Sequence, residues 1–152
     1  MIACLRLLTA LCLAALLAAC ASSPSSSLGE LPRTPDASIE QLLEKAASSK
    51  SAEDAALLRL SAADLAYKHK DFPRAARILE QVQLEPLKPA QQVFASTLAA
   101  ELAMSRNQPK AALTALAHPS LQRVGELPAE QQVRTYSVHA AALEADGQAL
   151  AA

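Results

Sequence analysis

Glycine is scarce in this chain of 152 residues. Gly29, Gly125 and Gly147 stand far apart, so there is no glycine-rich loop to cradle a phosphate. Cysteine is absent from everything after Cys20, and with only Cys4 and Cys12 before it the exported chain can hold no internal disulfide. Neither sign of charge dominates: 14 Lys and Arg face 15 Asp and Glu. No basic block is present, so nucleic-acid binding has no electrostatic basis. Tryptophan is missing and aromatics are 3% of the chain. No segment alternates apolar and polar residues over a useful length, so no sheet is expected. The long apolar run, Leu7 to Ala19, falls short of the roughly 20 residues that a membrane-spanning helix needs.

That run ends in LLAACASSPSSS, residues 16–27. A start carrying Arg6, an uncharged Leu- and Ala-rich core, and small residues at Ala18 and Ala19 have the form of a secretory signal. Leu17-Ala18-Ala19-Cys20 resembles a bacterial lipobox. That resemblance implies that residues 1–19 are a signal peptide cut before Cys20, whose thiol receives a diacylglyceryl group and whose new amine is acylated. Acylation also removes the liability of a lone thiol in an oxidising compartment. One acyl chain binds a membrane only marginally, at ~0.8 kcal/mol per buried methylene, whereas three hold firmly. Ala21 and Ser22 follow the cysteine in place of the Asp that commonly retains such proteins in the inner membrane. The expected location is therefore the outer membrane, facing the periplasm.

Cleavage leaves 133 residues, enough for one domain with a modest core. Ser, Pro and Gly dominate the stretch after Cys20, so residues 20–35 read as a lipidated tether, spanning ~20 Å as a flexible coil. Helical patterning starts at 36. Asp36 and Ser38 are candidate caps ahead of Ile39, Leu42, Leu43, Ala46 and Ala47. Ser51, with Asp54 three residues on, opens a second helix. Pro73 falls in the first turn of a third, where its missing N–H costs little.

Residues 71–76, DFPRAA, return as NQPKAA at 107–112, an offset of 36, and PAQQV at 89–93 returns with one insertion as PAEQQV at 128–133. GQALAA at 147–152 answers NQPKAA at an offset of 40. This period fits helix-turn-helix units of the tetratricopeptide type, so the fold class is all-α, an α-solenoid of TPR-like repeats over residues 36–152. The match is degenerate, because the large early aromatic of that motif is absent. Ala63 and Ala75 are placed where paired helices cross, with Ala111 as the repeat counterpart of Ala75. Asp71, Asn107 and Gly147 mark the turns. Residues 133–143 then lack a covering helix, leaving Val133, Tyr136, Ala140 and Leu143 bare, which leads to the expectation of a domain cut at its C-terminal end.

Chemistry has little footing. His69 lies between lysines and reads as solvated, while His118 is expected at a helix C-terminus, where an imidazolium suits the dipole. His139 shares a helix face with Tyr136 and Leu143 and reads as packed or exposed. Glu53 and Asp54 sit in a first turn, where they favour the dipole. No catalytic, cofactor-binding or metal-ligating residue is assigned, and no cofactor is expected. Cys20 is the one site residue, as the acylated position.

The lipobox, the Ser/Pro tether and the repeats containing KDFPRAARIL and NQPKAALTAL together resemble the N-terminal part of the LpoA lipoproteins, outer-membrane activators of class A penicillin-binding proteins. The resemblance implies a non-enzymatic regulator of peptidoglycan synthesis, with a membrane anchor, a penicillin-binding protein as partner and a possible contact to peptidoglycan. In that family the activating contact belongs to a later domain, so no activating residue carries over. The alternative is a general periplasmic TPR scaffold lipoprotein for outer-membrane or secretion-machinery assembly.

Overall fold

The structure, a computed structural model, describes residues 31–32 and 36–147. Cys20, the signal segment, most of the tether and residues 148–152 lie outside the described residues. Within them the fold is all-α, built from α1 (Ile39–Ser48), α2 (Ala52–Lys68), α3 (Phe72–Leu79), α4 (Pro89–Ser105), α5 (Pro109–Leu116) and α6 (Ala129–Ala145), with 3-10 turns over Pro119–Glu126 between the last two.

Local chemistry sets each start. Ser38 Oγ accepts from the Gln41 N–H at 3.2 Å while the Ser38 N–H donates to Gln41 Oε1 at 2.9 Å, a reciprocal box that satisfies two orphan donors of α1. Ser51 Oγ accepts from the Asp54 N–H at 3.2 Å, and Asp71 Oδ1 from the Arg74 N–H at 3.2 Å. Pro89 and Pro109 occupy first-turn positions of α4 and α5, where no N–H is needed.

The three long helices, α2, α4 and α6, are each 17 residues and end in the same way. Lys70, Asn107 and Gly147 take the left-handed conformation, with φ of 62°, 57° and 77°. At the first end, the Lys70 N–H donates to Tyr67 O at 2.8 Å and the Asp71 N–H to Ala66 O at 3.0 Å; the Asn107–Met104 and Gln108–Ala103 bonds repeat this at 2.9 and 3.0 Å. These paired bonds are the Schellman closure of a helix.

Helix starts Ala52, Pro89 and Ala129 lie 37 and 40 residues apart. The first interval is one residue longer than the sequence echo suggests. Pro73 is the second residue of α3 whereas Pro109 is the first of α5, so aligning the two prolines slips the frame. In the corrected frame Ala75 matches Ala112, and both are fully buried. Ala111, expected at the crossing, is instead exposed. Ala63 and its counterpart Ala100 are fully buried, as small residues at a close crossing require.

Two of the long helices pack on the short helix after them, α2 on α3 and α4 on α5, and neighbouring long helices also touch. α1 covers the outer side of α2. α3 and α5 share no extended contact, because each is only 8 residues. The largest cluster of buried side chains joins α1 to α4 around Leu60 and Leu98; a second joins α4, α5 and α6 around Ala100, Ala112 and Val138. A third, Ala90, Val93, Val124 and Leu127, forms where the 3-10 turns close over the start of α4. Leu31, which the sequence places in the tether, packs against the first and third clusters.

Candidate functional site

Three features of the described residues carry more than packing. The first is a charge cluster across the long helices. Arg134 of α6 grips Glu101 of α4 with two hydrogen bonds, Nε to Oε1 at 2.8 Å and Nη2 to Oε2 at 2.6 Å, and reaches Asp64 of α2 at 3.3 Å. Lys68 closes on the other Asp64 oxygen at 2.8 Å. The guanidinium also lies 4.7 Å from the centre of the Phe94 ring, an arrangement that attracts a cation to the ring face. Burial works against the Arg134 charge, but the hydrogen bonds and charge of Glu101, then Asp64, outweigh it and push its pKa up. Tyr67 nearby is pushed up by burial first and then by Glu101. Two carboxylates and two cations balance here, so the cluster ties helices together and offers no unmatched charge to a ligand.

Beneath it, Thr97 and Thr135 meet hydroxyl to hydroxyl at 2.9 Å between α4 and α6. Thr97 can also donate to Val93 O at 2.8 Å, Thr135 to Gln131 O at 2.9 Å, and the Gln131 amide donates to Thr135 at 3.3 Å. This buried polar contact fixes the register between the two helices.

The second feature is the outer face of α6. Val133 is 65% exposed and Tyr136 51%. Ala140 is exposed and Leu143 half-buried, as the sequence leads one to expect. Their counterparts one repeat earlier on α4, namely Val93, Ser96, Ala100 and Ala103, are all buried, because α5 and the 3-10 turns cover them.

The third is a groove of about 500 Å³ lying along α4 between α3 and α5. Ala95, Ala99 and Leu102 form its floor, with Arg106 at one end and Glu80 and His118 among its walls.

The histidines fall as follows. His69 is exposed after α2, and His139 is exposed on α6 beside Tyr136. His118 departs from expectation: it caps the N-terminal end of the 3-10 turns and not the end of a helix. Its Nδ1 accepts the Ser120 N–H at 3.3 Å and lies 2.8 Å from the Ser120 hydroxyl. Glu53 and Asp54 stand in the first turn of α2 as expected. No set of three metal-ligating side chains occurs among the described residues. Sequence reasoning missed the Asp64–Glu101–Arg134 cluster. The signal was there, since Asp64 and Glu101 are counterparts in the true 37-residue frame.

Residues 32–152 match the pattern that defines the LppC lipoprotein family. No curated protein matches the chain. Among solved structures, a monoclinic crystal form of Haemophilus influenzae LpoA superposes with a TM-score of 0.52 at 20% identity, over 77% of this chain and 21% of that one. The chain thus spans about a fifth of the length of that protein, and at this identity the likeness speaks for the fold.

Proposed function

The chain belongs to the LppC lipoprotein family, and from that premise we propose that it is an acylated, outer-membrane regulator of peptidoglycan synthesis that acts on a class A penicillin-binding protein. The observation that carries this reading is the conjunction of a lipobox ending at Cys20 with a helical repeat fold like that of LpoA. Cys20 is the acylated residue, and a short tether leads from it to the folded part, which begins by Leu31. The repeats act by geometry. A synthase in the inner membrane and a regulator anchored in the outer one must be bridged, and stacked helix pairs span distance without enzymatic content. In this reading the helices are the membrane-proximal spacer and binding region.

Two measurements test the proposal. In cells, Cys20→Ala should abolish labelling by a radioactive fatty acid and leave an unprocessed or mislocalised precursor. In vitro, the acylated full-length gene product should raise the rate at which a purified class A penicillin-binding protein polymerises its substrate. An unchanged rate together with no cross-link between the two proteins would overturn the functional reading. Continued labelling of the Ala variant would overturn the anchor.

A further inference from the structure

The two edges of the solenoid are not equivalent, because the anchored end of the chain is pinned at one of them. Lys88 Nζ meets Glu53 Oε1 at 3.3 Å, so α2 and α4 start side by side. Val124 and Leu127 close on Ala90 and Val93, which brings the start of α6 to the same edge. At the opposite edge, past the last residues of the long helices, stand Lys70, Asn107 and Gly147. A helix of 17 residues puts about 25 Å between the two edges. Leu31 packs against the cluster of Ala90, Val93, Val124 and Leu127, and against the large cluster of α1 to α4 as well. Pro32 beside it is half-buried. Two clusters therefore hold the chain eleven residues after Cys20, at the edge where the long helices start.

We propose that this helix-start edge is the surface that faces the lipid bilayer, with the helix-end edge turned away from it. The proposal rests on the acylation of Cys20 argued above. A coil of eleven residues averages about 18 Å between its ends and cannot exceed about 40 Å. With Leu31 pinned, laying the helix-end edge on the membrane requires that coil to run ~25 Å back along the fold, beyond its average reach. The helix-start edge needs no such stretch. Between Cys20 and Leu31 the only large aliphatic side chain is Leu28, so little draws this segment back onto the helices. Charge does not reverse the preference. Near the helix ends Lys70, Arg106 and Lys110 stand among Asp71, Glu144 and Asp146, so no cationic block pulls that edge to anionic headgroups. At the other edge Glu53 is met by Lys88, and Arg123 by Glu126. The tether sets the orientation, and a partner approaching from the opposite membrane meets the helix-end edge first.

The test uses the acylated full-length gene product, labelled at its alanine methyl groups and held in zwitterionic nanodiscs that carry a small share of gadolinium-chelating headgroups. Ala52 and Ala129 mark the helix-start edge, Ala111 and Ala145 the helix-end edge, and all four are exposed. Gadolinium should relax the first pair at least about threefold faster than the second, since the edges are ~25 Å apart. Leu31→Asp should release the chain and erase the contrast while the circular dichroism stays helical. Ten Gly and Ser residues inserted after Ser27 leave the packing of Leu31 untouched; they should shrink the contrast as the average reach rises to about 25 Å. Equal relaxation at both edges, faster relaxation at the helix-end edge, or a contrast that either folded variant leaves unchanged would overturn the orientation alone. A mass without acyl chains would overturn the anchor, and the orientation with it.

Discussion

Replacing Arg134 by Met tests how the solenoid is held together. The substitution keeps an unbranched apolar stem over Phe94 and removes only the guanidinium. Lost with it are two short charge-assisted bonds to Glu101 and the 3.3 Å reach to Asp64. The side chains of Asp64 and Glu101 are 5% and 15% exposed, so their carboxylates cannot simply rehydrate. Breaking one partner of a fully buried pair costs about 3–5 kcal/mol, and an exposed pair is worth at most about 1. Arg134, with its side chain 24% exposed, lies between these limits, and Lys68 still serves Asp64. A loss of ~2–3 kcal/mol follows, or roughly 10 °C in Tm. Adding Glu101→Gln should return ~1 kcal/mol, because it removes the orphaned charge. Urea unfolding of the wild type, both single variants and the double variant supplies the full cycle. A loss below about 0.5 kcal/mol for Arg134→Met would show that the cluster behaves as a solvated surface pair, and the argument would fail.

Other outcomes follow from the corrected repeat frame and from the local bonds. Ala112→Leu should overpack the α4–α5 crossing and cost about 1–3 kcal/mol, while Ala111→Leu and Lys110→Leu should leave the urea midpoint nearly unchanged; equal effects at 111 and 112 would return the frame to 36. Lys70→Gly should raise stability by ~0.5–1 kcal/mol, since a non-glycine residue at φ 62° carries about 1–2 kcal/mol of strain and glycine gives back part of that gain in chain entropy. No gain in thermal midpoint would mean that the turn relaxes at no cost. Glu40 is held below the usual carboxylate range, first by its hydrogen bond from Arg74. Its contribution is present above the ordinary carboxylate pKa and is lost as pH falls through the lowered folded value. Glu40→Gln should therefore be less stable than wild type near neutrality and indistinguishable from it in strong acid, with a gap that shrinks in salt; a gap independent of pH would exclude the ion pair as its cause.

Much of the fold was legible because helix starts are written in local chemistry. Ser38, Ser51 with Asp54, and Pro73 each act within one turn, so the sequence exposes them directly, whereas Pro89 reads there as a break and in fact opens α4. The repeat frame was read one residue short for an equally local reason. Proline is tolerated at either of the first two helical positions, so it marks a start without fixing it. The left-handed residues carry the frame better, yet Lys70 gives no sign of that conformation in the way Gly147 does. His118 was misplaced because the stretch after α5 forms 3-10 turns of its own, and their first donor is satisfied by the imidazole.

The charge cluster and the groove arise from relations that single helices do not show. Arg134 meets Asp64 across 70 residues of chain, and only the stacking of three long helices brings them together. The groove exists because α3 and α5 are half the length of the helices they cover, so two successive units leave a strip of α4 open between them. The same geometry bears on the exposure of Val133 and Tyr136 on α6 among the described residues. In the first two units the short helix begins two residues after the left-handed residue and runs back over the long one, covering small side chains such as Ala63 and Ala100. Gly147 repeats that turn and Ala140 repeats that small residue, while Val133 stands exposed where α4 buries Val93. Turn and small residue thus recur on α6 in the frame that α3 and α5 occupy on the two earlier long helices.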